Sequence, residues 1–101
     1  MAKEKNSSVL NSVLVGLATE AAQEVDGIQL LNSKSNRGAV SAYVLENEKV
    51  AIDCFINIDL GYSVPTQVAT LQEKIKTSIE RVTKFKVQSV NVQVVNVNIP
   101  Q

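Results

Sequence analysis

The sequence predicts a two-layer α+β domain in the order helix-strand-strand-strand-helix-strand, with both helices on one face of a mixed sheet. Three observations point there. Apolar residues recur with a helical period before Gly27 and again after Pro65, and with a period of two in the segments between and beyond. A chain of 101 residues, 45% apolar and 20% charged, is long enough for one core and too short for two. The run of strand 49–60, helix 64–83 and strand 87–94 has the order of a right-handed crossover between parallel strands.

Residues 1–6, charged and polar, read as a disordered lead-in. The first helix is expected from Ser7 or Ser8, either of which supplies an N-cap oxygen, to about Val25, with Gly27 just past its end. Its apolar face holds Val9, Leu10, Val13, Leu14, Leu17, Ala18, Ala21, Ala22 and Val25. Residues 28–31, IQLL, make a short strand, and the polar NSKSNRG at 32–38 a loop. In 39–46, Val40, Ala42 and Val44 alternate with Ser41, Tyr43 and Leu45; a turn follows without the glycine that favours a tight hairpin. The third strand, 49–60, puts Ile52, Cys54, Ile56, Ile58 and Leu60 on one face, the core seam, and Asp53, Phe55, Asn57 and Asp59 on the other.

The second helix starts near Ser63, with Pro65 in its first turn, where amides lack intrahelical partners. Val64, Val68, Leu71, Ile75, Ile79 and Val82 form its apolar stripe, and Glu73 with Lys76 and Glu80 with Lys84 have the spacing of helix-stabilising pairs. In the last strand, 86–99, Val90, Val92 and Val94 alternate with polar residues; then the phase flips and Val95, Val97 and Ile99 become the apolar set. A two-residue period flips only at a bulge or a change of neighbours, and the strand is expected to leave the sheet near Val95.

The composition is poor in chemistry. There is no histidine, which excludes Ser/His/Asp and Cys/His catalysis and removes the commonest metal ligand. The one cysteine permits no internal disulfide and no structural zinc site. Cys54 is in phase with the core residues and is expected to be inert. Asp53, Asn57 and Asp59 share a face without forming an adjacent carboxylate pair, and read as a solvated surface. Arg37 sits in a loop that lacks the glycine spacing of a phosphate-binding turn. No catalytic residue, cofactor or metal ligand is expected. Ten cations balance ten anions, so no overall field attracts nucleic acid or an anionic membrane. The N-terminus has no secretory h-region, and no apolar run reaches the ~20 residues of a membrane span, which suggests a cytoplasmic setting.

With both helices on one face, the other face of the sheet is uncovered. Tyr43, Phe55 and Asn57 on that face, with Val95 and Val97 beyond the phase flip, are the candidate interaction residues, for a second copy or a protein partner. The alternative is a nucleic-acid-binding module using the basic segment of Lys74, Lys76, Arg81, Lys84 and Lys86, which Glu73 and Glu80 interrupt and no aromatic ladder accompanies.

Three stretches together resemble the alkaline shock protein family of bacteria, also called the Gls general-stress family. VLVGLATEAAQEVDGI resembles its opening helix, KVAIDCFINIDLGYSVPTQVATLQEKIKTSIERVT its strand, tight turn and amphipathic helix, and VQSVNVQVVNV its closing strand. The likeness spans Val9 to Val97 and marks 7–99 as a single alkaline-shock-like domain. The chain departs from the family in a short segment before the sheet and in Lys84, where a glycine usually ends the second helix. The resemblance implies a non-enzymatic structural or interaction protein of Gram-positive-type bacteria. It implies a link to cell-envelope or alkaline stress, a cytoplasmic place near the membrane through an anchored partner, self-association, and no cofactor.

Overall fold

The computed structural model describes residues 2–31 and 39–99, with 2–9 described by their backbone alone. The elements follow the expected order: α1 (Ala2–Gln23), β1 (Ile28–Leu30), β2 (Val40–Val44), β3 (Lys49–Asp59), α2 (Val64–Val82) and β4 (Lys86–Asn98). β1 and β2 both pair antiparallel with β3, against Ile56–Ile58 and Val50–Cys54 respectively, so they lie end to end along one of its edges. β4 runs parallel to β3 on the other edge, from Lys86 opposite Lys49 to Asn98 opposite Asp59. The sheet is mixed, as expected, and only three strands wide.

Alternation along β3 decides the layers. Val50, Ile52, Cys54, Ile56 and Ile58 are completely buried. Above them lie Leu14, Ala18, Ala21 and Ala22 of α1 and Leu71, Ile75 and Ile79 of α2, also buried. The alanines let α1 approach closely; the larger residues of α2 fill the space over β4.

Helix ends follow local chemistry. Helix α1 begins at Ala2 rather than at Ser7 or Ser8, because Ala-Lys-Glu-Lys are good helix formers and nothing among them breaks the turn. It stops at Gln23 rather than Val25. Glu24 and Val25 donate to Ala21 and Ala22 in a tightened last turn, before Gly27 takes a φ of 78°. In α2, Ser63 caps the N-terminus by accepting from the Thr66 amide at 3.4 Å. Thr83 does the work expected of a glycine at the other end. Its hydroxyl donates to Ile79 O at 2.7 Å and accepts from the Phe85 amide at 3.1 Å. Asn47 and Glu48 both take positive φ in the β2–β3 turn, which turns tightly without glycine.

Three expectations are corrected. Val64 and Val82, the terminal residues of α2, are exposed, as are Val13 of α1 and Leu60, which falls just past the end of β3. Glu80 does not pair with Lys84; its carboxylate accepts the part-buried Val87 amide at 2.9 Å, a better-desolvated donor than a surface ammonium. β4 does not leave the sheet at Val95. Val94 stands opposite Ile56 and Asn96 opposite Asn57, so Val95 is the extra residue of a bulge and pairing continues to Asn98.

Gly27 ties the two ends of the layer together. Its carbonyl accepts the Asp59 amide at 2.8 Å, and a Cβ there would come within 2.5 Å of the Tyr62 ring. Gly27→Ala combines a left-handed backbone with that clash. It is expected to lower stability by roughly 1–3 kcal/mol in chemical denaturation, with the far-ultraviolet spectrum retained.

Candidate functional site

The register places Tyr43, Phe55 and Asn57 on the uncovered face, as the sequence suggests, but not in one cluster. Tyr43 faces Ala51, about 13 Å along β3 from Phe55 at ~3.3 Å per residue. Phe55 stands opposite Gln93, and Asn57 sits between Gln29 of β1 and Asn96 of β4. Val95 and Val97 flank Asn96, so Asn57, Val95 and Val97 share one end of the sheet. Arg37 and the rest of the 32–38 loop lie outside the described residues.

The face is a lattice of amides and carboxylates. Asn91 Nδ2 donates to Asp53 Oδ1 at 2.9 Å; Asn98 and Gln29 donate to Asp59 Oδ1 at 3.2 and 3.4 Å. Both carboxylates are thus held by neutral donors, too far apart to share a proton. Asn57 Oδ1 is shut off from solvent and accepts no hydrogen bond. Gln29, Asp59, Leu60, Asn98 and Ile99 border a hollow of about 480 Å³ at this end. It contains no nucleophile and no base beside one. Among the described residues no three carboxylate or thiol groups gather as metal ligands would.

The basic segment is broken up. Lys74 Nζ lies 3.4 Å from Glu24 Oε1 of α1, and Glu80 is committed to the Val87 amide. The cations therefore form no continuous stripe for a phosphate backbone.

The outer edge of β4 is the feature that strand periodicity alone does not reveal. Main-chain groups of alternate residues point to opposite sides of a strand. Glu80 accepts the Val87 amide, and Gln72 Nε2 donates to Val90 O at 2.9 Å, both from α2 on the outer side. Asn98 O accepts the Leu60 amide on the inner side. With the register shifts at Gln88 and Val95, the outward residues are Val87, Val90, Val92, Val94, Val97 and Ile99. Helix α2 satisfies the first part of this edge. From Val92 on, among the described residues, the one contact made to an outward group is between the Val97 amide and its own neighbour, Asn96 Oδ1, at 2.9 Å. Apolar side chains are also open here, with Val95 52% and Ile99 69% exposed. Residues 87–99 carry no charge. The facing edge is treated differently, for Asn11 Nδ2 reaches from α1 to Ala42 O of β2 at 2.6 Å.

Cys54 is buried under both helices, and its thiol is pushed up to about 12, first by burial and then by the Asp53 charge beside it. It is protonated at neutral pH and unsuited to nucleophilic chemistry. The unfolded thiol ionises near 9.0, so between there and about 12 the unfolded chain holds fewer protons than the folded one. Stability from this group is complete below pH 9.0 and is lost as pH rises toward 12. Denaturation of wild type and Cys54→Ala from pH 8 to 11 should differ in slope, wild type losing up to about 1.4 kcal/mol more per pH unit above 9.

Relatives bear on this geometry. The chain is 24% identical over 96 residues to the uncharacterised protein YqhY of Bacillus subtilis (strain 168), covering 84% of this chain and 71% of that protein. Two solved variants of the MamM CTD share the fold. One has TM-score 0.50 at 17% identity, covering 89% of this chain and 95% of the other; the second has TM-score 0.51 at 18%, covering 88% and 96%. A family model described by a cell envelope-related function matches residues 31–99. With most of the sheet, α2 and the whole of β4 inside that match, the chain belongs to the alkaline shock protein 23 family.

Proposed function

We propose that this chain is a non-enzymatic interaction module serving the bacterial cell envelope under stress, alkaline stress included. It acts by self-association or by docking a protein partner through its uncovered sheet face or the β4 edge. The observation that carries this reading is the stretch of β4 beyond Val92: uncharged, with Val95, Val97 and Ile99 exposed, and with main-chain groups that no helix satisfies among the described residues. Edges like this are usually guarded, because they are templates for pairing. The family's cell envelope-related function supports the setting, and the lack of a nucleophile–base pair on the open face supports a non-catalytic role. No helix among the described residues is long and apolar enough to cross a membrane. In this reading the chain is cytoplasmic and reaches the envelope through a membrane-anchored partner.

The test uses the full chain and the double variant Phe55→Asp, Val95→Lys, which places a charge on each surface. The variant is expected to melt as wild type does. It should lose assembly in sedimentation, or lose proteins crosslinked to it in stressed cells, compared in membrane and soluble fractions. A wild type that is monomeric at high concentration and crosslinks to nothing the variant misses would overturn the reading.

A further inference from the structure

We infer that the β4 edge pairs with the β4 edge of a second copy, antiparallel, about a two-fold axis perpendicular to the sheet between Val94 and Val95. The inference rests on the reading of the chain as an interaction module and names the surface, the partner and the register.

The bulge sets where the two-fold axis of such a pairing falls. In an unbroken strand, outward-facing residues keep one parity. Here Val92 and Val94 face outward before the bulge, and Val97 and Ile99 after it. Reversing a second copy over the first places Val92 opposite Val97, so outward groups meet outward groups on both sides of the axis. Gln93 then faces Asn96. Both lie on the uncovered face, opposite Phe55 and Asn57, so the two sheets join with all helices on one side. The Val97 amide exchanges its exposed contact with Asn96 Oδ1 for a carbonyl of the other copy.

Charge selects a second copy as the occupant. Pairing a strand with itself near a two-fold axis sets any charge against its own twin, and residues 87–99 hold none. The whole chain is also neutral, ten cations against ten anions, so two copies meet without a repulsive field. Where α2 occupies the edge, at Val87 and Val90, the helix limits the pairing to the open half.

The experiment uses the full chain with Gln93→Cys and Asn96→Cys prepared separately. Mixing the two under mild oxidation should give a crosslinked dimer of one copy of each, because facing residues in such a pair bring Cα atoms to about 4.5–5.5 Å. Neither variant alone should crosslink efficiently. Val95→Lys should weaken the dimer in sedimentation roughly tenfold or more by setting two ammonium groups at the axis, and Phe55→Asp should not. Self-crosslinking of either single variant, or a dimer lost in Phe55→Asp and kept in Val95→Lys, would overturn the inference while leaving the interaction reading intact. A monomeric wild type would also overturn it. If Val95→Lys then still lost a crosslinked cellular protein, the edge would belong to a partner's extended segment.

Discussion

The fold depends on β3 being hydrogen-bonded along both edges at once. β1 and β2 share one side of it and β4 takes the other, and within the described residues these strands pair with β3 alone. The same strand supplies the floor of the core, with Val50, Ile52, Cys54, Ile56 and Ile58 buried beneath both helices. Main-chain pairing and apolar burial therefore coincide on eleven residues. A one-residue slip would carry the valine, isoleucine and cysteine side chains to the solvent face and bring Asp53 and Asp59 under the helices. The register is held by that asymmetry.

A sheet three strands wide has edges close to everything, and the helices manage them. Asn11 of α1 caps Ala42 on one side; Gln72 and Glu80 of α2 cap Val90 and Val87 on the other. These are polar side chains reaching past the apolar layer to main-chain groups that would otherwise face water alone. The device needs a helix within reach, and α2 contacts the outer edge of β4 at Val87 and Val90. Beyond those contacts the strand continues as a bulged, uncharged ribbon. The proposed interaction surface lies there.

Much of this was legible in the sequence. The period-two run from Lys49 to Asp59 and the stripe of Leu71, Ile75 and Ile79 determine both layers, because each signal is local. The phase change at Val94–Val95 was readable as well, but its meaning was not. A bulge and a departure from the sheet leave the same mark in the pattern, and only the partner strand distinguishes them. Phe55 and Asn57 fell where alternation put them. The separation of Tyr43 from Phe55 depends on the β2–β3 register, which the turn at Asn47–Glu48 sets. The caps from Asn11, Gln72 and Glu80 were not foreseeable, since each joins residues far apart in the chain or competes with a local ion pair that the spacing favours equally well.

The burial of Cys54 gives the domain an internal clock. The thiol sits mid-strand on β3, flanked by β2 on one side and β4 on the other, with both helices above. Fraying at either end of the sheet leaves it covered. A thiol reagent can reach it only when an edge and the helical layer separate together, so the rate of its labelling counts whole-domain openings and ignores local ones. Any event that loosens the layer without unfolding the chain, such as the docking of another molecule at the edge, would be recorded as a change in that rate.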